Sequence, residues 1–117
     1  MNYVDVMAAA VPTANKDAYI AHARMAAEVF KDHGALRILE FWGDDVPVGE
    51  VTSFPMAVKC ADDETVCCSV IEWPSRSVRD AGMQKVMTDE RMSGENAAMP
   101  FDGQRMIFGG FETILDL

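Results

Sequence analysis

Residues 3–11 read Tyr3-Val-Asp-Val-Met-Ala-Ala-Ala-Val11, and Pro12 follows them directly. Alternating β-branched and small apolar side chains are typical of a strand, and proline ends a strand because it has no amide hydrogen. One face of this strand is wholly apolar and consists of Val4, Val6, Ala8 and Ala10. The other face carries Asp5 among apolar neighbours, so the stretch predicts a first strand with one polar group on its second face.

A helical pattern follows over residues 16–33. Side chains at the spacing of one helical stripe are Tyr19, Ala23, Ala26, Ala27 and Phe30. Such a stripe predicts the buried face of an amphipathic helix, and its alanines would allow close packing on a sheet. Gly34 suits the position just after the helix, where a positive φ ends it.

The remaining segments complete one pattern. Strands are predicted at residues 35–42, 66–73 and 105–111, and a helix at 76–87 with Ser75 as its N-cap. Residues 53–60 are ambiguous: Ser53 and Pro55 favour a short helix, whereas the alternation of Met56 and Val58 also fits a strand. We favour the helix. The order predicts a single α+β domain over residues 1–117, a ferredoxin-like βαββαβ with a four-stranded antiparallel sheet and the helices on one face.

Two helices cover only one face of such a sheet. The other face carries large apolar side chains and would expose a patch well beyond a few hundred Å² in a monomer. Packing that face on a second copy buries it, so the sequence predicts a homodimer with a barrel-like core between the subunits.

Charge and cysteine usage exclude several classes of function. The chain has 10 Lys+Arg against 19 Asp+Glu, a formal charge of −9, and its basic residues are scattered singly. We therefore expect neither a nucleic acid nor a membrane as partner. The beginning of the chain does not fit a signal peptide, and three cysteines without a Cys-x-x-Cys fit free thiols, so a cytoplasmic location is expected. In a strand, Cys67 and Cys68 would point to opposite faces.

The sequence resembles a known family in several stretches that follow one another in the same order. They are Tyr3-Val-Asp5, Lys16-Asp-Ala-Tyr19, Gly34-Ala-Leu-Arg37, Phe54-Pro-Met-Ala-Val-Lys59, Glu72-Trp-Pro-Ser75, Val78-Arg-Asp-Ala81, Met99-Pro-Phe-Asp-Gly103, Arg105-Met106 and Gly109-Gly-Phe111. The chain is similar to the small bacterial YbaA-like family of unknown function, in the dimeric α/β-barrel superfamily. The resemblance implies a fold and a homodimer. Related superfamily members include cofactor-free monooxygenases and small isomerases or lyases, which hold substrate between sheet and helices.

Each of the first three predicted strands carries one acid: Asp5, Glu40 and Glu72. A carboxylate on an otherwise apolar face requires a partner, for which Arg37 and Arg105 are candidates. The functional interpretation is a cleft in which one carboxylate acts as a base. The structural interpretation is an ion pair or a solvated sheet end.

His22 and His33 are the two imidazoles, and their separation along one helix, about 16 Å, prevents them from sharing a metal. His22 lies in the middle of the helix and is the better catalytic candidate. Trp42 and Trp73 end two strands and are candidates for pocket walls or for core anchors. Met7, Met56, Met87 and Met106 are candidates for lining an adaptable cavity.

The segment from Met99 to Arg105 is the loop most suited to function. Pro100 early and Gly103 late predict a rigid turn in which Gly103 has a positive φ. Asp102 is expected to accept from nearby amides or to pair with Arg105. Phe101 and Arg105 are then candidate ligand contacts, the arginine for an anion, although the turn also fits a purely structural role.

No phosphate-binding, metal-binding or nucleophile motif is present, so neither a cofactor nor a metal is expected. Three functions remain open: a dimer that binds a small apolar or aromatic ligand between sheet and helices, a cofactor-independent monooxygenase or isomerase acting on a small aromatic or carbonyl compound, and an interaction protein without a small-molecule site.

Overall fold

A computed structural model describes residues 2–94 and 98–117. The strands are β1 (Tyr3–Pro12), β2 (Arg37–Trp42), β3 (Glu64–Trp73) and β4 (Ile107–Glu112), and the helices are α1 (Lys16–Asp32), α2 (Phe54–Ala57) and α3 (Arg76–Met87). Every predicted strand and both long helices lie within two residues of the observed bounds. The ambiguous segment is a short helix, capped by the Ser53 hydroxyl, which accepts from the Met56 amide at 3.1 Å.

The four strands form one sheet in the order β2-β3-β1-β4, and every neighbouring pair is antiparallel. This confirms the predicted α+β class and is consistent with the ferredoxin-like arrangement. The register sorts the side chains onto two faces. Tyr3, Ile71 and Trp73 lie on the face that α1 and α3 cover, and Cys67 and Cys68 point to opposite faces as predicted. Burial raises the pKa of the Cys67 thiol to about 12.

Local signals explain where the helices begin and end. Gly34 has φ +109° and ends α1, as the sequence predicts. The Ser75 hydroxyl accepts from the Val78 amide at 3.2 Å and begins α3. These caps satisfy backbone groups that would otherwise lack partners.

A buried ion pair ties β1 to α3. The Asp5 carboxylate accepts from the Arg79 guanidinium at 2.8 Å and from Trp73 Nε1 at 3.0 Å. The expectation that Arg37 or Arg105 would pair with the strand acids is wrong for Asp5, because α3 brings Arg79 over the sheet from 74 residues away. A Cβ at Gly110 would collide with the Tyr3 hydroxyl and lie 2.8 Å from Arg79 Nη2, so this glycine permits the close approach of β4.

The other sheet face is only partly covered. Val58, at the C-terminal cap of α2, is fully buried and packs at one end of this face with Ala8, Ala10 and Val66. The expectation that the helices share one face therefore holds for α1 and α3, whereas α2 lies on the opposite side. Beyond α2 this face remains open, with Phe41 50% and Phe111 56% exposed.

The segment before β4 is held by side-chain contacts. Asp102 accepts from the Gln104 amide at 3.0 Å and from Arg105 Nε at 3.1 Å, as predicted. The expected positive φ at Gly103 is wrong: this residue begins a single 3-10 turn, whose tight i→i+3 bonding does not require it. Arg105 also donates twice to Glu64, at 2.7 Å each, and so joins this segment to the start of β3.

The Arg105–Glu64 pair makes a prediction about acid stability. The Arg105 hydrogen bonds lower the pKa of Glu64 to about 2, below its ordinary value of 4.5. The pair therefore stabilises the fold above about pH 4.5, and this stabilisation is lost as the pH falls from there towards 2. In urea unfolding, Glu64→Gln should be less stable than the parent protein at pH 7, and the difference should shrink steadily between pH 5 and pH 2.

The matched control is Glu50→Gln, which removes an exposed carboxylate from the segment between β2 and β3. It should change stability little at any of these pH values. A stability difference for Glu64→Gln that does not depend on pH would contradict the assignment of this pair.

Candidate functional site

A cavity of about 170 Å³ lies between α1 and the middle of the sheet. The helix contributes the predicted stripe, and the sheet contributes Ile38 and Ile71. Four methionines complete the wall, and they are Met7, Met92, Met99 and Met106. The space exists because three stripe positions that face the sheet are alanines, whose side chains are too short to fill it.

Three polar side chains meet at one end of this cavity. The Tyr19 hydroxyl and the Ser69 hydroxyl both donate to Glu40 Oε1, the serine at 2.7 Å. Glu40 and Ser69 are brought together because they are direct partners across the β2–β3 pair. Burial and the hydrogen bond to Glu40 raise the pKa of the Tyr19 phenol, so this hydroxyl stays protonated at neutral pH and keeps its donor role.

Aromatic contacts hold Tyr19 in place. Phe101 stacks on its ring with centroids 5.8 Å apart, and Trp42 meets it edge-on at 6.3 Å. The Asn15 amide donates to the Pro100 carbonyl at 2.9 Å, which fixes the loop carrying Phe101 to the start of α1. The phenol is therefore a preorganised donor, held by one stacked ring and one edge-on ring.

His22 supplies a buried polar atom that has no partner. Its side chain lines the cavity, and Nε2 is fully buried with no hydrogen bond to any residue in the described ranges 2–94 and 98–117. Leaving such an atom unsatisfied costs about 1–3 kcal/mol, and proteins satisfy most buried polar atoms. His22 is therefore the group most ready to hydrogen-bond a molecule in the cavity.

A second, more open groove of about 360 Å³ adjoins the cavity along the outer edge of β2. The two spaces share five wall residues, which are Tyr19, Ala23, Ala27, Ile38 and Glu40. The groove also contains Lys16, whose ammonium lies 5.4 Å from the Trp42 ring centroid, and Arg24.

The structure brings some of the candidate residues together and separates others. Glu40, His22 and Phe101 line the cavity, and Trp42 borders the adjoining groove. The others lie elsewhere: Asp5 in its ion pair with Arg79, Glu72 on the opposite sheet face beside Arg37, Trp73 fully buried in the core, and Arg105 bound to Glu64 and Asp102.

Sequence reasoning missed part of the site. Met7 and Met106 line the cavity as expected, but Met56 and Met87 are 41% and 75% exposed elsewhere. Tyr19 was recognised only as a member of the helical stripe, and Ser69 was not singled out. The sequence signal that could have identified Tyr19 as a site residue is its hydroxyl at the end of an otherwise apolar stripe. Ser69 could be identified only from the strand register, which places it beside Glu40.

Two further findings concern the described residues. Within ranges 2–94 and 98–117, no group of three or more His, Cys, Asp or Glu side chains is arranged to hold a metal ion. In the same part of the chain, none of the helices has the length and apolar content that crossing a membrane requires.

Fold and cavity together define a small α+β protein with an antiparallel sheet, two long helices on one face, and an internal space between them. The chain belongs to the family described as "Protein of unknown function (DUF1428)", whose model matches residues 2–103. It is 56% identical over 116 residues to "Uncharacterized protein YbaA" of Escherichia coli (strain K12), covering 99% of each chain. The protein of that name from Shigella flexneri matches to the same extent. The resemblance noted in the sequence is thus confirmed.

His22 and His33 offer a contrast that tests the site. Replacing His22 with Leu removes an unpaired buried nitrogen, so the melting temperature should stay the same or rise by a few degrees. Replacing His33 with Leu removes a 2.8 Å contact to Asp89 and should lower the melting temperature. Thermal unfolding of both variants at pH 7 makes the comparison. A large loss of stability in His22→Leu would show that this side chain serves the fold.

Proposed function

We propose that this protein is a homodimer that binds a small, mostly apolar molecule, with the size of about one ring, between α1 and the sheet. The carrying observation is the 170 Å³ cavity with a mostly apolar wall and a buried His22 Nε2 that has no hydrogen-bond partner among residues 2–94 and 98–117. An engineered apolar cavity of about 150 Å³ in another protein binds benzene, so this volume suits one aromatic ring.

The wall chemistry supports an adaptable fit. Alanines provide room without stiffness, and methionine side chains rearrange at low cost because they are unbranched and polarisable. The polar end fixes orientation, since a ligand with one hydrogen-bonding group satisfies His22 Nε2 while its apolar body contacts the methionines.

The open sheet face supports the dimer. Its side chains form three rows across the sheet: Phe41, Cys68, Ala8 and Ile107; Leu39, Val70, Val6 and Gly109; and Arg37, Glu72, Val4 and Phe111. The first two rows are wholly apolar. The charged residues among these side chains are Arg37 and Glu72, which are register partners in the third row. That row lies at the edge of the apolar area, where interfaces usually have a polar rim.

The area of this face supplies about half of what one partner buries in a stable two-fold interface. Four strands about six residues long present roughly 400 Å², which is a large apolar patch for a monomer. Stable interfaces bury about 800 Å² per partner. The exposed side chains of Ile114, Leu115 and Leu117 after β4 add apolar area towards that total.

The acidic charge and the free thiols support action in the cytoplasm.

One observation favours a second candidate, a cofactor-independent isomerase. The Glu40 carboxylate borders the cavity beside the Tyr19 hydroxyl. Glu40 is placed to take a proton from the carbon next to a ligand carbonyl and return it to a neighbouring carbon. In that step the Tyr19 hydroxyl turns its hydrogen bond from Glu40 Oε1 to the carbonyl oxygen. This step requires no oxidant, whereas the monooxygenase alternative requires dioxygen. If the parent protein converts a co-purified compound and the Glu40→Gln variant does not, the result favours the isomerase.

Filling the cavity tests the binding site. Ala23→Leu places extra carbons in the space, so it should weaken binding of p-cresol, a one-ring probe with one hydroxyl, by tenfold or more. The measurement is an NMR titration that follows amide shifts of residues lining the cavity. Native mass spectrometry of the purified protein should also show less of any co-purified small molecule.

The control for this variant is Ala21→Leu, which makes the same change on the exposed side of α1. It should bind p-cresol like the parent protein. Circular dichroism melting shows whether each variant is folded. Equal p-cresol affinity in folded Ala23→Leu and in the parent protein would contradict the site.

Oligomeric state tests the dimer. The parent protein should sediment at twice 12.9 kDa at micromolar concentration, and Phe41→Asp should shift it towards the monomer by placing a charge at the β2 end of a wholly apolar row. Phe108→Asp is the control, because Phe108 is 75% exposed on the opposite face of the same sheet. A parent protein that sediments at 12.9 kDa overturns the dimer.

A further inference from the structure

The groove beside the cavity has more basic than acidic side chains in its wall, although the protein as a whole is acidic. Its charged wall residues are Lys16, Arg24 and Glu40. We propose that the groove holds a carboxylate of the same ligand, so that the ligand class is a small aryl or branched-alkyl carboxylic acid bound as its anion. This inference rests on the proposed binding function, since the apolar body of the ligand would occupy the inner cavity.

Arg24 and Arg37 are the two arginines that form no salt bridge with the described residues 2–94 and 98–117, and Arg24 is the one that lines the groove. Arg76, Arg79, Arg91 and Arg105 each form a salt bridge with at least one carboxylate. Arg24 forms none with any residue in the described ranges 2–94 and 98–117, although the chain has 19 acids for 10 bases. A guanidinium presents a planar fork of donors that matches a carboxylate with two parallel hydrogen bonds. Arg24 is therefore the groove's direct anion partner.

The other charges in the groove fit this assignment. Glu40 Oε1 already accepts from the Tyr19 and Ser69 hydroxyls, so two donor dipoles offset its negative charge. Lys16 lies eight residues before Arg24, about 12 Å along the helix. A single ligand carboxylate therefore contacts only one of these two cations, and the second cation makes the electrostatic potential in the groove more positive. The protein as a whole carries a charge of −9 and repels anions, so an anion binds where these two cations make the local potential positive.

The shared wall connects the two halves of the ligand. Ala23, Ala27 and Ile38 line both spaces, and the alanines keep α1 from closing over β2. A ring attached directly to a carboxylate spans this boundary, with the ring among the methionines and the carboxylate towards Arg24. The groove thus adds charge selection to a cavity that by itself selects only size and polarity.

A matched probe pair tests the inference. p-Toluate and p-toluamide share one ring and one methyl group, and they differ in the charge of the polar end. The parent protein should bind p-toluate at least tenfold more tightly by calorimetry or NMR titration, and the advantage should fall as salt is raised. Arg24→Gln should remove most of this advantage, because it should weaken p-toluate binding much more than p-toluamide binding.

The charge control is Lys31→Gln, which makes the same change on α1 outside the groove and should preserve the preference for p-toluate. Equal binding of the two probes by the parent protein, or an advantage that survives in folded Arg24→Gln, overturns the carboxylate assignment while the binding function stands. Failure of p-toluate, p-toluamide and p-cresol alike to bind overturns the binding function itself.

Discussion

The antiparallel pairing of β1 with β3 and β4 sorts the sheet's side chains onto two faces, and the rest of the molecule depends on that sorting. Side chains alternate along each strand, so a shift of one residue would exchange the faces. In the observed register Tyr3, Ile71 and Trp73 face the long helices. The same register leaves the apolar rows of the opposite face without cover. Core, cavity and proposed interface all follow from one pairing.

Small side chains on α1 determine what lies between helix and sheet. A leucine-rich stripe would fill that layer at the packing density usual for protein cores. With Ala23, Ala26 and Ala27 there, the layer retains a cavity and a buried imidazole nitrogen without a partner in the part of the chain that the structure describes. Both features lower the free energy of unfolding. Atoms that line an unfilled space lose van der Waals contacts, and an unpaired buried polar atom loses its hydrogen bonds to water. Both features occur at one place, next to the Tyr19–Glu40–Ser69 cluster. A binding site at this place would explain why they occur together.

The three strand carboxylates show how environment divides one residue type into different roles. Asp5 is surrounded by donors from Arg79 and Trp73, and therefore holds α3 on the sheet. Glu72 lies on the open face across from Arg37. Glu40 borders both the cavity and the groove, and its oxygen receives two hydroxyl donors. Position on the sheet, rather than the carboxylate itself, makes Glu40 the one of the three that borders the proposed ligand site.

The amino-acid sequence specifies the elements, their order and most of their ends, because these depend on interactions within a few residues. The period of the α1 stripe, the Ser75 cap and Gly34 are local signals of that kind. It also singled out His22, Glu40 and Phe101. Only the tertiary structure decided that Arg79 pairs with Asp5, that Ser69 stands beside Glu40, and that Trp73 is buried in the core. Those outcomes depend on strand register and helix packing between residues far apart in the chain, for which local periodicity carries no information.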